Sequence, residues 1–232
     1  EKFKDAEIYT RKSIELDPSC AAAYNNLGNI LRNLGQPNEA KMSIQKALEL
    51  NPNFPEAYSN LGNILNDLGE IEEAEKSIRT AIKLKPNFAE AYSNLGTLLK
   101  DLRQLDEAEL STRKAIELKP NYAIAHSNLG DILSEQGEMQ QAKLSAVKAI
   151  ELKPDFANAY SNLGLIYKAL GDSDRAEYFC VEAVGLQPEN AQCHLNLSVT
   201  LLTTHKLTEG WKEYEWRWKV EKGSIGKKLK TS

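Results

Sequence analysis

The chain repeats itself every 34 residues. Tyr24, Tyr58, Tyr92, His126, Tyr160 and His194 stand 34 apart, and Gly28, Gly62, Gly96, Gly130 and Gly164 keep the same step. So do Ala40, Ala74, Ala108, Ala142 and Ala176, and Pro18, Pro52, Pro86, Pro120, Pro154 and Pro188. A fixed period of this length marks an array in which each unit buries its apolar face only against its neighbours. Every residue is therefore read by its place in the repeat.

Each repeat reads as two helices. In residues 89–122, Tyr92, Leu95, Leu98, Leu99 and Leu102 form one apolar stripe at spacings of three and four. A break follows, with Gly35, Gly69, Gly137 and Gly171 placed as helix C-caps and Arg103 as the exception. The second helix carries Ala108, Ala115, Ile116 and Leu118 and stops at Pro120, and Asn121 is placed to cap the next helix. Glycine within a helix costs about 1 kcal/mol relative to alanine, so its recurrence in the first helix needs a compensating gain. Close approach of the second helix supplies one, and small residues such as Ala108 and Ala115 are the other half of the fit.

A large aromatic, then Leu-Gly, then two alanines seven apart and a closing proline, all within 34 residues, resembles the tetratricopeptide repeat over nearly the whole chain. The resemblance implies an all-α fold, a right-handed superhelical solenoid of helix-turn-helix repeats whose first helices line a concave groove. On this numbering residues 1–20 supply the second helix of a truncated repeat, and 21–190 hold five full repeats. Residues 191–220 form a degenerate terminal repeat with a Trp-rich helix, and 221–232 form a basic linker. Starting in mid-repeat leaves an apolar face uncovered, so the chain is expected to be part of a longer protein.

Residues facing away from the stripe should line the groove: Glu56, Ser59, Asn60, Asn63, Asn66 and Asp67 in one repeat, Glu90, Ser93, Asn94, Thr97, Lys100 and Asp101 in the next. Most of these positions vary; the place of Lys100 reads Arg32, Asn66, Ser134, Lys168 and Leu202 elsewhere. One does not vary. Asn26, Asn60, Asn94, Asn128, Asn162 and Asn196 form an unbroken column, although asparagine in a helix interior is less favourable than alanine by up to about 0.7 kcal/mol.

A side-chain amide both donates and accepts, so it can hold the N–H and C=O of a peptide group together. Helices pack about 8 to 10 Å apart and an extended strand rises about 3.3 Å per residue, so amides at repeat spacing would meet an extended peptide roughly every third residue. The column resembles the asparagine ladder lining the superhelix of O-GlcNAc transferase, which implies recruitment of extended protein segments. The alternative reading is a column that only bridges adjacent first helices. Divergence at neighbouring groove positions argues against simple inheritance by duplication.

Chaperone-binding members of the family hold a terminal carboxylate with a lysine just before the asparagine. Here that place holds Asn25, Ser59, Ser93, Ser127 and Ser161, so the clamp lacks its cations. The acids Asp67, Asp101, Asp131 and Glu135 favour a ligand with basic or hydroxyl side chains.

All three tryptophans lie in EGWKEYEWRWK at 209–219, where Trp211, Tyr214 and Trp218 share one face of an expected helix that closes the array or docks onto a following domain. Equally frequent glutamates argue against a membrane-surface helix. Net charge is −4; residues 219–232 carry five lysines and one glutamate, +4, leaving −8 on residues 1–218 and no polycationic surface for nucleic acid. A Trp-rich end with a basic tail resembles bacterial tetratricopeptide proteins that continue into a glycosyltransferase-like domain.

Cys20, Cys180 and Cys193 read as small buried hydrophobes, and a cytoplasmic location is expected from the lack of any membrane span or signal segment. His126 and His194 occupy the aromatic packing position, and His205 stands in a helix break. No catalytic constellation, cofactor loop or metal-ligand cluster is found. The expectation is a non-enzymatic module binding an extended protein or peptide; the alternative is an assembly scaffold acting through self-association or its outer faces.

Overall fold

The structure, a computed structural model, describes residues 2–218. The expected basic linker at 221–232 lies outside them. Among the described residues there are thirteen helices: α1 Lys2–Leu16, α2 Ala21–Asn33, α3 Pro37–Leu50, α4 Pro55–Leu68, α5 Ile71–Leu84 and α6 Ala89–Asp101. Then come α7 Leu105–Leu118, α8 Ala123–Glu135, α9 Met139–Leu152, α10 Ala157–Ala169, α11 Ser173–Leu186, α12 Ala191–Thr203 and α13 Leu207–Tyr214. The fold is all-α and built of helix-turn-helix pairs, as the repeat pattern implies. The chain divides into two compact bodies, Glu1–Leu102 and Arg103–Ser232, with the boundary between α6 and α7.

In each body a helix packs on its chain neighbours, and first helices also touch the next first helix: α2 on α4 and α4 on α6, then α8 on α10 and α10 on α12. The buried alanines sit where the second helix meets this layer; Ala40, Ala47, Ala74, Ala81, Ala142, Ala149, Ala176 and Ala183 have no solvent exposure. Between them the larger side chains interdigitate, as Leu129 and Leu133 do with Leu163, Ile166 and Tyr167.

The recurring glycine marks the narrowest point of each pair. A Cβ on Gly62 would lie 2.4 Å from Ile78 Cγ1 and 3.0 Å from the Ala74 carbonyl oxygen. On Gly28 it would lie 2.5 Å from Ile44, and on Gly164 2.5 Å from Cys180 Sγ. At Gly130 the facing residue is Ala146, and the nearest atom is the Ala142 carbonyl oxygen at 3.2 Å. Helices this close gain dispersion contact along their whole length, which offsets the propensity cost of glycine.

Between first and second helix the chain turns through a left-handed residue. Gly35, Gly69, Gly137 and Gly171 have φ of 76°, 79°, 85° and 81°, as the sequence predicts. Arg103 (φ 63°) and His205 (φ 62°) adopt the same conformation without glycine's freedom.

The expected cap at Asn121 is not made. Tyr122 is the N-cap of α8, with no side-chain cap bond. Its ring instead lies under the Lys119 ammonium at 4.7 Å, and Phe88 under Lys85 and Phe156 under Lys153 repeat the arrangement at 4.6 and 5.1 Å. Aromatic packing wins the position because the ring covers the turn before the first helix, as it does at the starts of α6, α8 and α10. Among the described residues side-chain caps form at α11, where Asp172 accepts from the Arg175 N–H, and at α12, where Asn190 accepts from the N–H groups of Gln192 and Cys193.

The terminal helix also departs from expectation. The helix stops at Tyr214; Trp211 packs edge-on against the Tyr214 ring with centroids 5.4 Å apart, and the Arg217 guanidinium lies over the rings of both Tyr214 and Trp218, while Trp211 and Trp218 stay largely exposed. Trp216, beyond the helix, is the docking residue: its ring stacks on His194 with centroids 3.8 Å apart and planes 1° from parallel. His194 is buried, pairs through Nδ1 with Glu213, and donates from Nε2 to the Pro188 carbonyl at 2.8 Å. One imidazole thus ties the end of the chain to the preceding turn.

Gly62→Ala is expected to destabilise by about 1 to 3 kcal/mol, because buried Ile78 has to move, whereas Gly130→Ala stays within about 1 kcal/mol of the wild type. Urea unfolding followed by circular dichroism checks the order of the two. His194→Phe keeps a ring on Trp216 but removes both polar contacts at a cost of about 1 to 3 kcal/mol, and it should raise amide hydrogen exchange in α13 while leaving α8 to α10 unchanged.

Candidate functional site

The face of each first helix turned away from the second helix is polar and partly open. On α4 it is made by Glu56, Asn60, Asn63 and Asp67, and on α6 by Glu90, Asn94, Thr97 and Asp101, at spacings of three and four. In the second body the same places read Ile124, Asn128, Asp131 and Glu135 on α8, and Asn158, Asn162 and Leu165 on α10.

The asparagine column stands in this face. Asn60, Asn94, Asn128, Asn162 and Asn196 are half-buried and Asn26 is exposed. The amide of each of four donates to the preceding first helix: Asn60 Nδ2 to Asn25 Oδ1 at 2.8 Å, Asn94 Nδ2 to Ser59 Oγ at 3.0 Å, Asn162 Nδ2 to Ser127 Oγ at 3.2 Å and Asn196 Nδ2 to Ser161 Oγ at 2.8 Å. The acceptors are buried. Ser59 and Ser93, expected in the groove, therefore lie beneath it. A helix places consecutive residues about 100° apart, enough to turn the serine inward while the asparagine stays at the rim.

These serines are the members of the site that sequence reasoning assigned to the wrong face. The signal was present: a small polar residue precedes each of the first five ladder asparagines, Asn26 to Asn162, and donor and acceptor are separated by 35 residues, one repeat plus one. Each such bond between neutral groups contributes about 0.5 to 1.5 kcal/mol, enough to offset asparagine's low helix propensity.

The bond uses one N–H. A primary amide has a second N–H and a carbonyl with two lone pairs, the combination that matches a peptide group. At Asn196 the carbonyl also accepts from Gln192 Nε2 at 2.9 Å, which takes one lone pair.

The acids are placed differently from one another. Asp67 is engaged by Arg32, whose Nε lies 2.6 Å from its carboxylate, and Asp101 is exposed with Lys100 at 4.0 Å. Glu135 receives Arg103 at 2.6 Å, while Asn63 and Asp131 are half-buried on the face. Toward the end of the chain the face becomes apolar: the place of Asn63 and Asp131 is taken by Leu165 and then by exposed Val199.

The remaining reactive side chains are committed to packing. Burial pushes the thiols of Cys180 and Cys193 above their ordinary value, so at neutral pH they remain protonated and poor nucleophiles. His126 bonds through Nε2 to the Pro120 carbonyl oxygen at 2.9 Å, the same contact that His194 makes two repeats later. Among the described residues no three His, Cys, Asp or Glu side chains group as metal ligands, and no helix is long and apolar enough to cross a membrane.

Family comparison agrees with this architecture. Profiles described as tetratricopeptide repeat match residues 21–54 and 89–122, and 43–76 and 112–143, and one described as TPR repeat matches 62–102 and 147–171, well over half of the chain together. No curated protein sequence matches. Among solved structures the chain is similar to the APC/C hetero-tetramer Cut9–Hcn1, with TM-score 0.80 and 18% identity over 93% of this chain. It spans only 42% of that chain, and at this identity the likeness concerns the fold alone. TTC0263, a thermophilic TPR protein of Thermus thermophilus, gives TM-score 0.72 and 25% identity over 79% of this chain and 100% of that one. YrrB, described as a TPR protein with an unusual peptide-binding site, gives 0.54 and 26% over 85% of this chain and 98% of that one. With the repeat pattern, the helix pairs and the profile matches in agreement, the chain belongs to the tetratricopeptide repeat family and is a protein–protein interaction module.

Proposed function

We propose that each body holds an extended protein segment along its first-helix face, through Asn26, Asn60 and Asn94 in one and Asn128, Asn162 and Asn196 in the other. The observation that carries the reading is the half-spent amide: the bond to the preceding helix fixes the orientation of Asn60, Asn94 and Asn162 and leaves each with a further donor and acceptor at an open face. Preorganised amides bind with less loss of side-chain freedom than mobile ones.

Contacts of this kind read backbone, so selectivity falls to the positions around the column. Asn63, Asp67, Asp101 and Asp131 favour basic or hydroxyl side chains, and Leu165 and Val199 favour an apolar residue farther along the ligand. YrrB, with its named peptide-binding site, is consistent with the assignment. We further place the module as the substrate- or partner-recruiting arm of a larger, glycosyltransferase-type protein, a step that rests on the sequence resemblance of its Trp-rich end.

Two double variants separate ligand binding from stapling. Asn162→Ala with Asn196→Ala and Ser127→Ala with Ser161→Ala delete the same two inter-helix bonds, but only the first pair removes amides from the face. Binding to a pool of fluorescent, unstructured peptides rich in Arg, Ser and Leu is expected to weaken about 5- to 100-fold in the asparagine pair and less than about threefold in the serine pair. Both should lower the urea midpoint similarly. Equal binding by both pairs, or undiminished binding by the asparagine pair, overturns the proposal.

A further inference from the structure

The outer side of the second helices carries a second column that the ladder does not use. Ile8, Met42, Lys76, Leu110, Leu144 and Tyr178 occupy one repeat position, and all but Lys76 are apolar and largely exposed. Single exposed leucines are ordinary, but in the second body three successive second helices, α7, α9 and α11, present Leu110, Leu144 and Tyr178 at 69%, 67% and 56% exposure. The column is independent of the asparagines, which lie on first helices.

Charge around this row is arranged symmetrically. On α7, Asp106 and Glu107 lie four and three residues before Leu110, and Arg113 and Lys114 lie three and four residues after it. All four are exposed or half-buried on the same outer face. The cations also pair within the helix, Arg113 with Glu109 at 2.8 Å and Lys114 with Glu117 at 2.7 Å, and Asp106 accepts weakly from Gln136 at 3.3 Å. Such exposed pairs are weak and exchange readily for others. On α9, Gln140 and Gln141 precede Leu144 and Lys148 follows it; on α11, Asp174 and Arg175 precede Tyr178 and Glu182 follows it, so the acidic-to-basic split belongs to α7 alone.

We propose that this face of the second body pairs with a second copy of the chain about a two-fold axis lying along the row of Leu110, Leu144 and Tyr178. That operation lays each second helix antiparallel on its own counterpart. Leu110, Leu144 and Tyr178 then meet themselves, and the acidic start of α7 falls on the basic end of the other α7, twice. The antiparallel arrangement also opposes the helix dipoles favourably. A two-fold axis across the row, the other face-to-face possibility, lays α7 parallel on α11 and α9 parallel on itself; Asp106 and Glu107 then fall on Asp174 and Arg175 instead of on the basic end of α7, and the helix dipoles align unfavourably. The same geometry excludes the first body, where Lys76 interrupts the row and would face its own copy.

The test is sedimentation velocity of the full chain from about 1 to 100 μM, the range of modest interfaces. Wild type is expected to pass from monomer to dimer. Asp106→Lys with Glu107→Lys makes the positions on both sides of Leu110 basic, and Arg113→Glu with Lys114→Glu makes them acidic. With helicity unchanged by circular dichroism, each variant alone should associate at least about tenfold more weakly, and an equimolar mixture should recover the dimer. Leu144→Lys, which leaves α7 untouched, should weaken association as well. A wild type that stays monomeric, variants that dimerise as wild type does, or a mixture that fails to reassociate each overturns the proposal.

Discussion

The contact on which the rest depends is the near-touch of the two helices within a repeat, where a glycine of the first faces the second at a distance that admits no Cβ. It fixes the separation of the pair, and hence which side chains of the first helix turn inward. Gly62 against Ile78 and Gly164 against Cys180 are two solutions to the same constraint, a larger residue set into a glycine notch. Gly130 against Ala146 is a looser third. A solenoid has no single core, so each notch acts mainly on its own pair and its neighbours.

Once that spacing is set, the first helices of a body lie close enough for one side chain to bridge them. Asparagine at the rim donating to a buried serine one helix earlier is such a bridge, short and directional. The ladder is thus a structural bond that leaves hydrogen-bonding capacity to spare, because a carboxamide has more donors and acceptors than one bridge consumes.

Much of the fold was legible because the repeat averages over local ambiguity. The 34-residue step placed both helices of each pair, and the glycines at 35, 69, 137 and 171 marked the left-handed turns that the backbone adopts. Legibility failed where two chemically reasonable options competed at one position. Asn121 looked like a cap, but Tyr122 under Lys119 took the place, since packing a ring over the turn outweighs one side-chain bond. Ser59 looked like a groove residue because small polar side chains tolerate either face, and only its neighbour across the interface decided. At the chain's far end periodicity chose Trp211 and Trp218, whereas the break after Tyr214 sends Trp216 onto His194.

The sequence alone determined the class of fold, the register of every repeat and the existence of the asparagine column, because these follow from which residue types recur and at what step. Periodicity assigns a residue to a face but does not say which atom it meets there. Only the tertiary structure decided that ladder asparagines are tied to a buried polar residue of the preceding repeat, Asn25 or a serine, and that Arg32 engages Asp67. Those pairings join residues 35 apart in the chain, and they exist only after the helices between them have packed.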